Sequence, residues 1–363
     1  MSLKALSIFF RGLAVFVIIA TIIPALTLEE WYVRIFDYPR LQIFILGLIT
    51  LISILFLDLI PHRKSKILIV LLSLMLIIQA FLVYDYTTFG VKEVEDLQHS
   101  ETDLTRVSIL AANVLMTNDN YQSLTDLVES QQPDLVLTME SDQKWQVALQ
   151  KLEEKYPYTV KIPLDNTYGM HLYSKIPLQD TEVKYWVDKD IPSIHTWLRL
   201  NDSQMVELYC VHPKPPVPTE SGNSRRRDAE VIIIANRVAE SDHPVLVAGD
   251  FNDVAWSSIT ELFQKVSQLG DPRRGRGFYN TFNAEYPVMR WPLDHFFVSP
   301  HFHLVEMKRL PFIGSDHFPI MIEVALVDDH IDRPKRPVDS TVKELETQTI
   351  EEGLEDARKE EKK

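Results

Sequence analysis

The sequence predicts an α/β domain that follows three transmembrane helices. Residues 12–28, 41–57 and 67–84 contain no charged side chain. From Arg106 onward, short apolar runs typical of β-strands alternate with helical patterns over about 220 residues. Strands and helices mixed in one stretch of this length favour a single domain built on two sheets or on one large mixed sheet.

The three uncharged segments lie within residues 1–86, which we interpret as a transmembrane region. Each segment can be extended by a few residues to the roughly 20 that an α-helix needs to cross a bilayer. None has the polar stripe expected of a buried helix in a soluble protein. A cleaved signal peptide is the alternative for the first segment, but no small-x-small cleavage motif follows it.

The charges in the loops predict the orientation in the membrane. His62–Lys66, between the second and third segments, contains three basic residues, whereas the loop at residues 29–40 is mixed in sign. Lys4 and Arg11 make the N-terminus basic as well. The positive-inside rule then places the N-terminus in the cytoplasm and everything after Tyr86 on the outer side. We therefore expect a multi-pass protein of a bacterial inner membrane, with its domain on the periplasmic side.

The charge of the domain restricts its partners. Residues 87–363 contain 30 basic and 46 acidic side chains, and residues 87–327 alone carry a net charge of −12. Such a surface repels polyanions and offers little affinity for a phosphate backbone. A long nucleic acid is therefore disfavoured, though not excluded, as the substrate. The single cysteine, Cys210, rules out an internal disulfide and lies in an apolar strand pattern typical of a buried thiol.

The domain is predicted to begin at residue 106, after a polar and acidic connector at residues 87–105. Strands are expected at Val107–Val114, Asp134–Met139, Gly169–Ser174, His195–Leu200, Met205–Val211, Val245–Asp250, Asp294–Ser299, Phe302–Met307 and Ile320–Leu326. Helices are expected at Tyr121–Ser130, Gln143–Tyr156, Ser224–Ala239 and Ser257–Val266. The domain is expected to end at residue 327, before a charged, proline-broken tail at residues 328–363 that favours disorder or a solvated helix.

Polar residues lie at the carboxyl ends of many of these predicted strands. The apolar run Val245–Gly249 leads into Asp250 and Asn252, which are two residues apart and so point to the same side of an extended backbone. Taken alone, this pair is also typical of an Asp–Asn turn. The same residue types recur at other strand ends, namely Asn113, Glu140, His212, Asp294, Asp316 and His317. Their repetition predicts one reactive edge where several strands end.

In their residues and in their order along the chain, these motifs resemble those of the endonuclease/exonuclease/phosphatase superfamily, which has the DNase I-like fold. The resemblance rests on Asn113, Glu140, Tyr173–Pro177, His212, Gly249–Asn252, Asp294 and Ser315–His317. It spans residues 106–326, and it implies a four-layer α+β sandwich and metal-dependent hydrolysis of a phosphoester. The three uncharged segments resemble those of a bacterial, membrane-anchored subgroup of these hydrolases.

The resemblance implies a divalent cation, Mg²⁺ or Mn²⁺, bound by Glu140 with help from Asp316 and Asn113. The chemistry agrees with these residue types, because a phosphoester anion repels hydroxide and a cation offsets that charge. Mg²⁺ prefers oxygen ligands and needs only one or two carboxylates from the protein.

The resemblance also implies catalytic roles. Asp250 would orient or deprotonate the attacking water, and Asn252 would donate a hydrogen bond to the pentavalent phosphorane. His317 would contact a non-bridging oxygen or donate a proton, with Asp294 holding its imidazole in the required tautomer. His212 is expected to contact the phosphate or to act as the acid for the leaving group.

Other polar and aromatic residues are assigned from their surroundings in the sequence. The glycine-rich segment Gly270–Gly277 carries Arg273, Arg274 and Arg276, which we predict to contact the substrate. The triplet Arg225–Arg227 is either a phosphate contact or a solvated helix start. The histidines His171, His195 and His295 are expected to be structural, and the aromatic residues Trp256, Trp291 and Phe278 either wall the site or pack.

Together these features predict a membrane-anchored phosphodiesterase or phosphatase that acts outside the cytoplasm. Its substrate is a lipid-linked or small phosphodiester, or a nucleic acid, and the lipid bilayer is its second partner. Chromosomal DNA is disfavoured because it lies on the other side of the membrane. The alternative is a catalytically silent membrane protein that uses the same fold as a binding module.

Overall fold

Apolar helices come first in the chain, and a domain of two sheets follows. The computed structural model describes residues 2–26, 28–57, 63–98, 104–327, 335–360 and 362. The helices are α1 (Leu3–Ile22), α2 (Trp31–Arg34), α3 (Arg40–Leu57), α4 (Arg63–Tyr84), α5 (Tyr121–Gln131), α6 (Gln143–Ala148), α7 (Arg225–Ala239), α8 (Ser258–Ser267) and α9 (Ser340–Glu360). The strands are β1 (Arg106–Asn113), β2 (Leu135–Met139), β3 (Tyr158–Ile162), β4 (Met170–Ser174), β5 (Leu178–Lys184), β6 (Ser193–Arg199), β7 (Met205–Val211), β8 (Val245–Asp250), β9 (Asp294–Val298), β10 (Phe302–Arg309) and β11 (Ile320–Leu326).

The strands form two mixed sheets. The first has six strands in the order β10-β11-β1-β2-β4-β3, and the second has five in the order β5-β6-β7-β8-β9. Strand β1 pairs with β2, and β7 with β8, in parallel. All other neighbours in the two sheets are antiparallel. In each parallel pair, the carboxyl ends of both strands therefore lie side by side at one edge of the sheet.

The two sheets pack face to face, and alternate residues of each strand enter the core between them. In β1 this face carries Ile109 and Ala111, and in β8 it carries Leu246 and Ala248, all of them buried. The intervening residues point outward, against α5 and α6 on one sheet and against α7 and α8 on the other. Helices, sheet, sheet and helices make four layers, which confirms the predicted α+β sandwich.

Helices α1, α3 and α4 form an apolar bundle. Ala14, Ile43 and Leu72 are buried where the three helices meet. The outward-facing side chains are also apolar, and Phe56 and Phe81 are each 80% exposed. An apolar interior together with an apolar exterior is typical of helices in contact with lipid. All three helices are long and apolar enough to cross a membrane.

The loop between α1 and α3 contacts the domain. The Nε1 of Trp256 donates a hydrogen bond to the carbonyl oxygen of Asp37 at 2.7 Å. Just after α4, the hydroxyl of Tyr86 donates to the carbonyl oxygen of Ala255 at 2.5 Å. The loop and the segment after α4 thus reach the same part of the domain. This arrangement agrees with three crossings, which leave both segments on one side of the membrane.

Helix α9 differs from the disordered or solvated tail that the sequence predicts. It packs along α7, with Gly353 buried against Ala229. The Nε of Arg226 lies 3.2 Å from a carboxylate oxygen of Asp356 in α9. The helix is held on α7 by ion pairs and by the close contact at Gly353 rather than by a broad apolar stripe. Its packing therefore cannot be predicted from its composition. The preceding tail residues 328–334 lie outside the described part of the chain.

The substitution Gly353→Ala distinguishes a packed α9 from a solvated one. In a solvated helix, alanine in place of glycine stabilises by about 1 kcal/mol. In the packed helix, a Cβ at this position would lie 2.5 Å from the carbonyl oxygen of Arg225. We therefore expect a loss of about 1–3 kcal/mol in the free energy of unfolding. Thermal unfolding in detergent and amide hydrogen exchange across α9 measure this loss.

Gly222→Ala is the matched control, because a Cβ there would meet no atom within 4 Å. It should leave hydrogen exchange in α9 unchanged. A Gly353→Ala protein that is more stable than the wild type would contradict the packed helix.

Buried His171 in β4 is expected to make stability depend on pH. Neither of its ring nitrogens has a hydrogen-bond partner among the described residues. Burial, with a smaller contribution from Lys161, lowers the pKa of His171 to about 4. In the unfolded chain the pKa is about 6.5, so the unfolded state binds more protons and stability falls as the pH drops from about 6.5 to 4.

Replacing His171 by leucine removes this effect. Between about pH 7.5 and 4.5, the wild type should lose about 2 kcal/mol more unfolding free energy than His171→Leu. Unfolding curves of both proteins across this range measure the difference, and the exposed His243→Leu serves as the control. Parallel pH curves for the wild type and His171→Leu would show that His171 does not titrate as a buried group.

Candidate active site

The predicted strand-end residues come together at one edge of the sandwich. Asn113 and Asp250 are the last residues of β1 and β8, in different sheets. The Nδ2 of Asn113 donates to the Oδ2 of Asp250 at 3.1 Å, so the two sheets are joined at this point. Glu140 and His212 directly follow β2 and β7, the parallel neighbours of these strands. The four side chains therefore face one small region.

The backbone conformation at the end of β8 explains which residues occur in the motif Gly249–Asn252. Gly249 has a φ of 149°, and a Cβ there would overlap the carbonyl oxygen of Val211 in β7, so the approach requires glycine. Phe251 is buried and packs on the outer face of the sheet. Asn252 has a φ of 50°, which asparagine tolerates, and its N–H donates to the Oδ1 of Asp250 at 2.8 Å. The motif thereby holds one carboxylate oriented into the site.

The imidazole of His317 lies between two buried carboxylates. Its Nδ1 is 2.8 Å from the Oδ2 of Asp294, and its Nε2 is 3.6 Å from the Oδ2 of Asp250. Burial disfavours the charged ring, but Asp294 and Asp250 outweigh this and raise the pKa of His317. Burial also raises the pKa of Asp250, which His317 opposes and Asp294 reinforces. The arrangement favours an imidazolium held by two carboxylates.

The loop before β11 is fixed to β1 by a serine. The hydroxyl of Ser315 donates to the carbonyl oxygen of Asn113 at 2.8 Å and accepts from the backbone N–H of His317 at 3.0 Å. On the other side of the imidazole, the ring of Phe282 lies 4.9 Å away between centroids. The serine of the Ser-Asp-His motif therefore positions the histidine.

His212 is a neutral histidine in the same site. Its Nε2 lies 3.8 Å from the Oδ2 of Asp250. Burial, together with the nearby His317, lowers the pKa of His212 to about 3. Its Nδ1 is buried without a hydrogen-bond partner among the described residues. Unlike His317, this ring carries no charge at neutral pH.

Glu140 and Asp316 supply the oxygen donors for a cation. The Oε1 of Glu140 accepts from the Nδ2 of Asn113 at 2.9 Å. Burial raises the pKa of Glu140, and the nearby Asp316 adds to this rise. The hydrogen bond from Asn113 and the charge of His317 oppose this rise. Two carboxylates are oxygen donors of the kind that a hard divalent cation prefers. In this structure Asn113 turns its amide nitrogen toward both Glu140 and Asp250, while its Oδ1 accepts from Leu115 N at 3.1 Å. In this structure Asn113 thus orients two carboxylates, and its Oδ1 accepts one hydrogen bond.

A second group also has metal-ligand spacing. Asp250, Asp294 and His317 each offer one potential ligand atom, and these atoms lie within 4.8 Å of one another. The Nδ1 of His317 is already engaged by Asp294, however, and the protonated ring supplies the positive charge. The potential ligand atoms of this group are therefore already engaged with one another in this structure.

Tyr38, which the sequence does not single out, and Arg227, which it assigns to a phosphate contact or a solvated helix start, hold the loop after β8. The hydroxyl of Tyr38, in the loop between α1 and α3, donates to the carbonyl oxygen of Asn252 at 2.9 Å. The Nη1 of Arg227 donates to the same oxygen at 2.8 Å, and its Nη2 is paired with Asp253 at 2.9 Å. Arg227 is buried, so it is neither a solvated helix start nor a direct phosphate contact. No local pattern links residue 38 to residue 252, because only the folded chain brings them together.

The structure does not bring the arginines of the glycine-rich loop into the site. Arg273 is fully buried and pairs with Asp271 at 2.8 Å. Arg274 lies over the ring of Tyr86, and Arg276 donates to the carbonyl oxygen of Val94 in the connector. Arg274 and Arg276 hold the connector on the domain, and Arg273 is engaged within the domain, so the predicted substrate contact is not supported.

The remaining predicted residues have structural contacts. His295 is buried and stacks on Phe297, and His195 is 2.8 Å from Glu207. Cys210 is a buried free thiol, as predicted. Trp256 and Phe278 pack on each other beside the loop between α1 and α3. Trp291 packs on Tyr38 and Phe282, and so lies at the wall of the site.

Two solved structures are similar to this chain, and the first of them agrees with this fold. An endonuclease/exonuclease/phosphatase from Beutenbergia cavernae is similar at 14% identity with a TM-score of 0.50, over 61% of this chain and 72% of that chain. The human nocturnin catalytic domain is similar at 15% identity with a TM-score of 0.49, over 65% of this chain and 98% of that chain. No curated protein matches the chain.

A family model decides the assignment. The model of the Endonuclease/Exonuclease/phosphatase family matches residues 110–317, which is more than half of the chain. The matched segment runs from β1 to His317 and includes every strand-end residue of the site. The chain therefore belongs to the endonuclease/exonuclease/phosphatase family.

Proposed function

We propose that the protein is a membrane-anchored, divalent-metal-dependent hydrolase that cleaves a phosphodiester or phosphomonoester by attack of an activated water. The observation that carries this proposal is the buried contact of Asp250 with His317, backed by Asp294. A base, a positively charged imidazole and an orienting carboxylate lie within reach of one another at a strand edge.

Asp250 is the proposed base. Its Oδ1 accepts a hydrogen bond from the N–H of Asn252, and its Oδ2 accepts one from the Nδ2 of Asn113. Hydrogen bonds at both oxygens therefore fix the orientation of the carboxylate. Burial raises its pKa, which makes the carboxylate a better proton acceptor near neutral pH. The attacking water would donate its proton to this group.

His317 and Asn252 are proposed to stabilise the charge on the reacting phosphoryl group. The raised pKa of His317 keeps a positive charge beside Asp250, and Asp294 fixes the ring through Nδ1. The Nδ2 of Asn252 donates one hydrogen to the carbonyl oxygen of Pro213 at 2.9 Å. An amide nitrogen has two hydrogens, so a second donor is free for a phosphoryl oxygen. The neutral His212 would contact the phosphate or protonate the leaving group.

Glu140 and Asp316 are proposed to hold Mg²⁺ or Mn²⁺. The cation would offset the negative charge of the phosphoester, which otherwise repels both the water and the surrounding carboxylates. The oxygen-only donor set and the raised pKa of Glu140 support this choice.

We further propose that the domain lies on the outer side of a bacterial inner membrane. The contacts of Asp37 and Tyr86 with the domain support a common side for the first loop and the domain. The basic residues of the second loop, between α3 and α4, support a cytoplasmic position for that loop.

The activity is tested with Asp250→Asn, which keeps the shape of the side chain but removes the base. Purified wild type should hydrolyse bis-p-nitrophenyl phosphate with Mg²⁺ or Mn²⁺, lose activity on chelation and recover it when the metal is returned. Asp250→Asn should lower kcat by about a hundredfold or more. Release of p-nitrophenol measures both effects.

Asp134→Asn is the matched control for this experiment. Asp134 immediately precedes β2, away from the strand ends that form the site, and accepts from the Ser108 hydroxyl at 2.7 Å. Its replacement should leave kcat within about twofold of the wild type. Wild-type protein that is inert with Mg²⁺, Mn²⁺ and Ca²⁺ alike would favour the catalytically silent binding module instead.

Tyr38 is expected to act as a positioning residue for Asn252. Tyr38→Phe removes one of two hydrogen bonds to the Asn252 carbonyl oxygen and leaves that of Arg227. We expect kcat to fall about three- to tenfold while KM changes little, because the loop that carries Asn252 is less well held. Steady-state kinetics on the same diester measure the two constants separately.

Tyr86→Phe is the matched control, since that hydroxyl is also bound to a carbonyl oxygen, of Ala255, just outside the apolar helices. It should lower thermal stability about as much as Tyr38→Phe without the loss in kcat. Equal loss of kcat in both variants would indicate that Tyr38 has only a structural role.

A further inference from the structure

A short hairpin connects the active site with helix α3. Residues 282–291 form this hairpin, and the two end residues pair with each other. Near its base, the backbone N–H of Ala284 donates to the carbonyl oxygen of Asp316 at 2.6 Å. At its tip, the Nε2 of Gln42 in α3 donates to the carbonyl oxygen of Val288 at 3.0 Å. This segment, the site hairpin, is therefore fixed both to the site and to an apolar helix.

The tip of the site hairpin is apolar and exposed. Tyr286, Val288 and Met289 are 60%, 74% and 47% exposed. Gln42 is the third residue of α3, so the tip lies level with the first turn of a helix apolar enough to cross a membrane. Exposed apolar side chains beside the end of such a helix are typical of the membrane interface.

The site is close to that level. Ala284, which is bonded to Asp316, precedes Val288 by four residues, and four consecutive Cα–Cα steps span at most about 15 Å. The hairpin, with one hydrogen bond at each end, therefore keeps the site close to the end of α3. A phosphate in the head-group layer therefore has only a short way to travel to reach Asp316 and His317.

Two arginines beside the site have no acidic partner among the described residues. The guanidinium groups of Arg290 and Arg309 lie 4.8 and 4.3 Å from the centre of the Phe318 ring, next to His317 in the chain. Arg290 donates to Ala284 O at 2.8 Å, and Arg309 donates to Asn280 O at 2.9 Å. In a domain with many more acidic than basic residues, two cations bound only to carbonyl oxygens and an aromatic ring are available to an anion.

We propose that the site hairpin rests on the bilayer surface and that the substrate is a phosphoester carried by a lipid of the same membrane. Arg290 and Arg309 hold anionic lipid head groups beside the site, and Tyr286, Val288 and Met289 contact the apolar layer beneath them. This inference rests on the proposed hydrolase function and adds the class of substrate.

A lipid agrees with the surroundings better than a nucleic acid does. The net charge of −12 on residues 87–327 repels a long polyanion. The two unpaired arginines are confined to the side of the site that the hairpin joins to α3, rather than extended along a groove. A single head group fits this small cationic region, whereas a polynucleotide needs a longer one.

The test uses the full chain reconstituted in vesicles of phosphatidylcholine and phosphatidylglycerol in equal parts. Hydrolysis of the vesicle lipids is compared with that of bis-p-nitrophenyl phosphate in the same sample. Val288→Asp should lower the ratio of lipid to diester hydrolysis about tenfold or more, because a charge at the tip opposes contact with the apolar layer. Val147→Asp, at a residue 62% exposed on α6, is the matched control and should leave the ratio unchanged.

A second measurement reports the position of the hairpin without any activity. Cys210, the single cysteine, is buried, so a dye attached to Val288→Cys is the only exposed thiol label. An environment-sensitive dye at position 288 should shift to the blue in vesicles and be quenched by a quencher carried on lipid. The same dye at Val147→Cys should behave as it does in water.

The outcomes separate this inference from the proposed function. Diester hydrolysis without lipid hydrolysis, or faster hydrolysis of RNA or plasmid DNA than of lipid, would overturn the lipid substrate while leaving the hydrolase in place. A label at position 288 as exposed to water as that at position 147 would overturn the membrane contact of the hairpin. Wild-type protein inert toward every phosphoester would instead refute the proposed function, while the labelling result still decides the position of the hairpin.

Discussion

The contact of His317 with Asp250 and Asp294 depends on one fixed alignment of the two sheets. Asp250 and Asp294 are paired across β8 and β9 of one sheet, whereas His317 comes from the loop before β11 of the other. Burying three ionisable groups is costly unless they satisfy one another. A shift of either sheet would leave these charges unpaired, so the apolar core between the sheets is what maintains the site. The bond from Asn113 to Asp250 fixes the same alignment at its edge.

The sequence predicts this part of the molecule well for a physical reason. Buried strands are continuous apolar runs, so a polar residue directly after one, such as Glu140 or His212, is visible without a structure. Gly249 and Asn252 can likewise be recognised in the sequence, because their backbone angles restrict which residue types fit at these positions. The strand-end cluster was therefore predictable from the residues, whereas the four layers were implied only by the resemblance to the family.

Long-range ion pairing was not predictable in the same way. The sequence shows that the glycine-rich loop is basic, but it does not show that Arg273 is neutralised by Asp271 and buried. The packing of α9 also depends on which charges meet, such as Arg226 with Asp356. The composition of a charged segment is the same whether its side chains are solvated or paired with other charges in the fold. The sequence therefore predicted exposed side chains both for the arginines of the glycine-rich loop and for the tail.

The apolar helices are more than a tether, because α3 and the loop before it contact two sides of the site. From one side, Tyr38 holds the carbonyl oxygen of Asn252, and from the other, Gln42 holds the tip of the hairpin whose base contacts Asp316. A domain separated from these helices would lose both contacts and would expose the aromatic surface that Tyr38 and Tyr86 cover. The geometry of the site then depends on the position of the helices. In the proposed membrane-anchored arrangement, the bilayer would set that position and so act on the orientation of Asn252 and on the wall of the site beside His317.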